Sequence, residues 1–345
     1  MKAILFHKES GILTFDEREV PQLGRKDVLI KVHYCAFCHH DLSVMDQLLN
    51  RGVKKEVILG HELSGVIQEI GPEVSLYRPG DRVISFLTNS CGTCDRCLGD
   101  KSYRCRYGQG IGHSCDGGFA EYVAVSEHSI YKIHDNITLK DACMLGCPIG
   151  IIEEAFFRYR GEFGTAVILG ATGGIGIHGV QKCAGLFDRV IALTSKPTSE
   201  ELLLHYGASD VVVYDPTDSF KYKEIVNALT DDKGADLFLD PVGSSLFNES
   251  LNCVSQYGCL MILGDIAGEP IGIHIADMLF KDLDIICSTG SNRLSISMAE
   301  QDIILNNIKP VIFDIVGLED LEIVRSQMRN SAITGRILIK IAGEE

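Results

Sequence analysis

No stretch of eighteen or more apolar residues occurs in the 345-residue sequence, so a membrane-spanning helix is not expected. The amino terminus, Met1-Lys2-Ala3-Ile4-Leu5-Phe6-His7, lacks both a long apolar region and a small-residue cleavage site. A secretory signal is therefore not expected, and a cytoplasmic location is the default. Basic residues are scarce beside acidic ones, with 32 Lys and Arg against 47 Asp and Glu and a net charge of −15. A nucleic-acid backbone needs a basic face to bind, so a nucleic-acid partner is not expected. Internal repeats and low-complexity segments are absent as well. What is left is an ordinary globular composition, 46% apolar and 23% charged. The length exceeds one comfortable core, which predicts two domains.

Cysteine is the opposite case. Thirteen are present, an odd number that fits poorly with a full disulfide framework. In a reducing compartment, closely spaced cysteines more often ligate metal than pair as disulfides. Six take a metal role below. The other seven, Cys35, Cys115, Cys143, Cys183, Cys253, Cys259 and Cys287, lie mostly in apolar stretches and are expected to serve as small core residues.

Up to about residue 145 the chain reads as β-rich. Val28–Val32, Leu63–Ile70 and Asp81–Ser85 have strand character, separated by turn signals such as Gly71-Pro72 and Pro79-Gly80-Asp81. Such short strands suggest a barrel-like or sandwich-like unit. From about residue 150, apolar strands alternate with helix-length segments: Ala166–Leu169, a helix from about Gly174, then Arg189–Leu193, Val211–Val213, Leu237–Leu239 and Leu260–Leu263. That rhythm predicts an α/β parallel sheet covered on both faces. Arg336–Lys340 reads as an isolated strand that returns to the first domain.

Cys91-x2-Cys94-x2-Cys97-x7-Cys105 places four thiolates in one Gly/Asp-containing loop. Zinc favours a tetrahedron of soft ligands, and short spacings let a loop wrap around it. With four protein ligands the site is closed, hence structural, and the lobe would span about residues 88–108. A redox pair would not need the third and fourth cysteines. A second constellation is dispersed: Cys38-His39-His40-Asp41, Gly60-His61-Glu62 and Gly146-Cys147-Pro148. Catalytic zinc takes three protein ligands and keeps one position open. Asp41 is a candidate to hold the second imidazole nitrogen of His61. Each piece alone is weak, since a histidine beside Gly60 or a cysteine among small residues is more often core.

Gly60-His61-Glu62 with Gly65, Pro79-Gly80-Asp81-Arg82-Val83, the four-cysteine lobe and Asp116-Gly117-Gly118-Phe119-Ala120-Glu121-Tyr122 follow one another in an order that resembles the zinc-dependent medium-chain alcohol dehydrogenases. The resemblance spans essentially the whole chain. It implies a catalytic zinc on Cys38, His61 and Cys147, with Glu62 as an alternate ligand, and thus two zinc ions per chain. Family members that oxidise simple alcohols carry Ser or Thr two residues after the first zinc cysteine, as a proton relay. Here that residue is His40. A relaying imidazole and a packing residue both remain open readings.

Gly170-Ala171-Thr172-Gly173-Gly174-Ile175-Gly176 follows a predicted strand and opens a helix, the arrangement that lets a backbone approach a pyrophosphate. Its glycine spacing resembles the NADPH-linked quinone and enoyl reductase branch. The second strand ends Thr194-Ser195-Lys196, with no acid before Glu200. An acid there binds the NAD ribose, whereas Ser195 and Lys196 suit a 2′-phosphate, so NADP is expected over NAD. By resemblance, Arg336 reaches the cofactor pyrophosphate.

The resemblance implies a GroES-like catalytic domain over 1–147 and 288–345 and a Rossmann domain over 148–287. The expected activity is hydride transfer between nicotinamide and an alcohol, aldehyde or ketone. An NADPH-dependent enoyl reductase of the acryloyl-CoA type, or a quinone reductase, is the first alternative. Phe247–Leu251 and Ile308–Ile312 are similar to archaeal acryloyl-CoA reductase relatives. A non-catalytic NADPH and zinc binder is the second. The expected partners are a small-molecule substrate and further copies of the chain, as a homodimer or homotetramer.

Overall fold

The computed structural model describes residues 1–217, 222–331 and 333–342. The chain divides into two compact units, one of Met1–Gly150, Gly290–Ile304 and Ile312–Glu345, the other of Ile151–Thr289 and Leu305–Val311.

The first unit opens with strands β1 (Lys2–His7), β2 (Ile12–Glu17), β3 (Asp27–Phe37), β4 (Glu56–Ile58), β5 (Glu62–Ile70) and β6 (Arg82–Ser85). After β7 (Thr88–Asn89) and β8 (Gln109–Gly110), which pair with each other, come β9 (Tyr122–Ser126) and β10 (Ile130–Lys132). The eleven-residue β3 is the spine, pairing antiparallel with β5 and β9. Its residues Val28, Ile30, Val32 and Phe37 are buried beside Phe6, Leu63 and Phe119 in one continuous core. The Phe37 and Phe119 rings stack with centroids 6.0 Å apart.

The second unit holds β11 (Thr165–Ile168), β12 (Arg189–Thr194), β13 (Asp210–Val213), β14 (Ala235–Asp240), β15 (Val254–Ile262) and β16 (Asp284–Cys287). All six run parallel in the order β13-β12-β11-β14-β15-β16, so the order reverses between β11 and β14. The central strands β11, β12 and β14 are almost wholly buried, which is why they read as unbroken apolar runs. This is the doubly wound arrangement that binds ligands beyond the carboxyl ends of its strands.

The chain then returns to the first unit. There β17 (Ile312–Gly317) pairs with β18 (Arg336–Lys340), and β18 runs antiparallel to β3. Two expectations need correction. Residues 305–311, expected with the first domain, pack with the second, because Gln181 exchanges hydrogen bonds with the Lys309 backbone and the Val311 N–H donates to His178 Nε2. Of the seven presumed core cysteines, five are buried, but Cys115 is half-buried and Cys287 is exposed. Cys287 ends β16, one of the two outer strands of the parallel sheet among the described residues. No helix among these residues is long and apolar enough to cross a membrane.

Candidate metal and dinucleotide sites

Two groups of potential metal ligands converge among the described residues, Cys91, Cys94, Cys97 and Cys105 in one and Cys38, His61, Glu62 and Cys147 in the other. In the first, a short helix Asp95–Leu98 turns the chain so that Cys94 and Cys97 face Cys91 and Cys105. Sulfur separations are 4.0 Å for Cys91 to Cys97, 3.5 Å for Cys94 to Cys97, 3.8 Å for Cys94 to Cys105 and 3.5 Å for Cys91 to Cys105. A tetrahedron with zinc–sulfur bonds of about 2.3 Å has edges of about 3.8 Å, so the four sulfurs fit that ion. The N–H groups of Cys91 and Tyr107 donate to Cys105 Sγ, and those of Thr93 and Cys94 to Cys91 Sγ, at 3.4–3.5 Å. Burial pushes the Cys91 thiol up, but the Thr93 and Cys94 donors outweigh it and bring it down to about 6. The loop therefore stabilises the Cys91 thiolate before any cation arrives, whereas burial and the neighbouring Cys94 and Cys105 sulfurs push the Cys97 thiol up to about 12.

The second group is assembled from three places in the first unit. Cys38 caps the helix His39–Met45 directly after β3. His61 directly precedes β5 and Glu62 opens it, after Gly60 at φ +90, where an added Cβ would lie 2.7 Å from Cys35 Sγ and 2.9 Å from the Phe119 ring. Only glycine fits there, which fixes the entry of β5. Cys147 sits in a π-helical turn, Leu145–Ile149, that contains Pro148. All four ligand atoms lie within 4.8 Å of one another, and all four side chains are buried.

Charge in this group is organised by two flanking residues. Asp41 Oδ2 accepts the Cys38 N–H at 2.9 Å, while Oδ1 accepts the Gly60 N–H at 3.2 Å and lies 3.3 Å from His61 Nδ1. That leaves His61 Nε2 on the side of Glu62, 3.9 Å from its Oε1. Arg336, at the start of β18, donates from Nε to Glu62 Oε2 and from Nη2 to Oε1, both at 3.0 Å, and its Nη2 is 3.6 Å from Cys38 Sγ. The sequence reading gave Arg336 to the cofactor; here its buried guanidinium is engaged by Glu62. A carboxylate buried beside thiolates requires such a cation.

Shared hydrogen bonding with Cys147 lowers the Cys38 thiol, helped by Arg336 and His61, and raises that of Cys147. Burial pushes His61 down, yet the Asp41 carboxylate and Cys38 raise it overall. Burial lifts Glu62 to about 7 against the pull of Arg336. A thiolate, a second thiol and an imidazole whose far nitrogen faces a carboxylate at 3.3 Å are the donors that zinc takes, binding with release of these protons. His40 lies against the group, its ring edge-on to His61 at 5.1 Å. Burial, then neighbouring His61, pushes it down to about 4, so it is uncharged at neutral pH. Sequence reading missed His113, whose ring is 5.3 Å from that of His40 and whose Nε2 is 2.8 Å from the Arg51 carbonyl.

In the second unit the glycine loop joins β11 to the helix Gly174–Ala184 at the strand-order reversal. Gly170 has φ +57, and Gly173 caps the helix. A Cβ on Gly176 would lie 2.1 Å from the Gly170 carbonyl oxygen, so the loop closes only without one. Thr172 is buried with Oγ1 3.4 Å from Thr194 Oγ1, and Ile175 is half-buried in the first turn. The first-turn N–H groups of Gly174, Ile175 and Gly176 have no intrahelical acceptor, the property that suits a helix start to an anion. Beyond β12, Ser195 is exposed and Lys196 is half-buried, its ammonium held below the usual value by that burial.

Known proteins are similar to this chain in sequence and fold. The alcohol dehydrogenase GroES-like domain family matches residues 24–135, and the zinc-binding dehydrogenase family matches residues 174–304. An acryloyl-coenzyme A reductase of Sulfurisphaera tokodaii is 29% identical over 99% of this chain and 100% of its own length. An alcohol dehydrogenase of Geobacillus stearothermophilus is also 29% identical, with the same coverage. Among solved structures, a thermostable alcohol dehydrogenase from Pyrobaculum aerophilum superposes with a TM-score of 0.85 at 26% identity, covering 99% of both chains.

Proposed function

The chain belongs to the medium-chain zinc-type dehydrogenase family, and from that premise we propose that it is a zinc-dependent, NADP-preferring reductase or dehydrogenase acting on an aldehyde, ketone or alcohol. The observation that carries this reading is the buried Cys38, His61 and Cys147 set with Asp41 behind the imidazole. A member that only bound cofactor would have no use for an open metal site. Zinc held there would polarise a substrate oxygen, and nicotinamide would give or take the hydride.

The chain's own residues do the rest. Asp41 fixes the ring orientation of His61 and, through the Cys38 N–H, the start of the helix. Arg336 holds Glu62 as a reserve donor and draws charge onto Cys38 Sγ. His40, uncharged and beside His61, exchanges a proton with the substrate oxygen in place of the usual hydroxyl. The Gly170–Gly176 loop and the following helix start would receive the pyrophosphate, with Thr172, Gly173, Gly174 and Ile175 as the residues that would hold it. Ser195 and Lys196 pair with a 2′-phosphate, which favours NADP. The exposed outer edge of β16, with Ile285 41% exposed, supports a homodimer in which two such strands pair across a two-fold axis.

A second reading, reduction of a C=C bond in an acryloyl-CoA-type thioester, is favoured by His40 standing where alcohol-oxidising relatives carry a hydroxyl. Oxidation of NADPH and NADH is measured with a panel of aldehydes and ketones and with acryloyl-CoA. Turnover of carbonyl compounds that Cys38→Ser abolishes, in a folded protein, supports the first reading. Turnover of the thioester alone sinks it and supports the second.

A further inference from the structure

An ionic cluster built around the buried Arg325 closes the far end of the helix that carries Cys38 and Asp41. Asp46 directly follows the helix His39–Met45. Arg325 and Arg329 stand four residues apart on one face of the helix Leu321–Arg329, and both reach it. Arg329 donates from Nε to Asp46 Oδ2 at 2.9 Å and from Nη2 to Oδ1. Arg325, 9% exposed, donates from Nη2 to the Met45 carbonyl at 2.7 Å and to Asp46 Oδ1 at 3.1 Å. Its Nη1 donates to the Gly11 carbonyl at 3.3 Å, in the turn between β1 and β2, and contacts Glu322 Oε1 at 3.4 Å. One guanidinium thus ties together a hairpin turn, a helix carboxyl end and a second helix. A cation also suits a helix carboxyl terminus, where carbonyls lack donors.

The opposite end of the same helix is equally constrained, because Asp41 binds the Cys38 and Gly60 N–H groups and faces His61. The helix is a short strut between two anchors. At 1.5 Å per residue, Cys38 and Asp46 are about 12 Å apart, so a pivot of about 1° at Asp46 moves Cys38 by about 0.2 Å. That is the whole tolerance of a metal–ligand distance.

We propose that Asp46, Arg325 and Arg329 are positioning residues for the dispersed metal site: acting through the helix His39–Met45, they set Cys38 and Asp41 against His61 and Cys147 and so tune metal affinity there. The proposal rests on the reading that this set binds metal. The same chain carries an internal reference, because the four-cysteine lobe makes no contact with this cluster in any of the hydrogen bonds above.

The test uses the full chain loaded with Co²⁺, whose thiolate charge-transfer and d–d absorption reports each site. Cys38→Ser first identifies the bands of the dispersed site. Chelator competition then measures both affinities in wild type, Asp46→Ala, Asp46→Asn and the more exposed Arg329→Gln, with thermal melting alongside. The expected result is a loss of about tenfold in affinity at the dispersed site, as for other outer-shell metal partners. The four-cysteine site should hold its wild-type affinity, and Asp46→Asn should fall between wild type and Asp46→Ala. Equal dispersed-site affinity in wild type, Asp46→Ala and Arg329→Gln overturns the proposal, even if the melting temperature drops. Parallel weakening of both sites overturns it too, since that marks general loss of folding. A spectrum that Cys38→Ser leaves unchanged overturns the underlying metal reading, a distinct failure.

Discussion

Replacing Gly176 by alanine tests the dinucleotide loop at its tightest point. The new Cβ would lie 2.1 Å from the Gly170 carbonyl oxygen and 2.8 Å from Ala171 Cα, both backbone neighbours that cannot swing aside. Relief requires the loop to move by about 1 Å, and overpacking of this kind costs about 1–3 kcal/mol. Alanine's better helix propensity returns at most about 1 kcal/mol. The net loss is therefore up to about 2 kcal/mol, a fall in melting temperature of up to about 8 °C for a unit of this size. Moving the loop also misplaces the first-turn N–H groups, so NADPH affinity should fall by about tenfold, or about 1.4 kcal/mol. Gly173→Ala is the control. Its Cβ meets only the Gly170 oxygen at 3.2 Å, and its φ of −71 suits any residue. It should melt within about 1 °C of wild type yet weaken NADPH binding, because the added methyl intrudes where the pyrophosphate approaches. Differential scanning calorimetry and quenching of NADPH fluorescence supply both numbers. If Gly176→Ala melts like wild type and binds NADPH within about twofold, the reasoning about this loop is refuted.

Other outcomes follow from the same coordinates. On the proposed two zinc ions per chain, Cys97→Ser should leave one and expose the loop around residues 91–107 to protease, while the Cys38 set keeps its metal; elemental analysis that still finds two would contradict this. Lys196→Glu should reduce the proposed preference for NADP over NAD by about ten- to a hundredfold, the worth of one charge-assisted hydrogen bond, as read from kcat/KM with each cofactor. Burial pushes the Asp81 carboxyl up, but Lys132 at 2.6 Å and the Arg78 N–H at 3.0 Å hold it below the usual carboxylate range. Its stabilisation is thus present above about pH 4 and lost as pH falls through the lower folded value. Urea midpoints between pH 3 and 6 should drop less steeply for Asp81→Asn than for wild type, and identical slopes would remove Asp81 from the acid response.

Legibility in the sequence followed locality. The cysteine lobe spans fifteen residues, so its spacing alone announced a tetrahedron. The parallel strands were equally plain, because Val167–Leu169 and Ile191–Leu193 are buried on both faces and carry no polar alternation. Pairings across long separations were not. Arg336 meets Glu62 across 274 positions and His40 meets His113 across 73, and no local signal links either pair. Cys287 closes an apolar run that looks like core, but whether a strand is central or at the edge depends on its neighbours in space. Residues 305–311 were misassigned by continuity of the chain, when hydrogen bonds to Gln181 and His178 decide their place.

The return of β18 to β3 also has a temporal meaning. Arg336 is synthesised after every residue of the parallel sheet, yet the carboxylate it neutralises, Glu62, leaves the ribosome among the earliest. Glu62 must therefore wait, without its counter-cation, while about 270 further residues are added, many seconds at usual elongation rates, and the Cys38 and Cys147 thiols wait for the same strand. The four-cysteine lobe has no such delay, since all its ligands emerge together. Nascent chains arrested before residue 336 should already capture zinc at the lobe and leave the dispersed set empty, so that competence for chemistry is conferred only when that strand docks. Equal zinc uptake by arrested and complete chains would show that the set can be built without it.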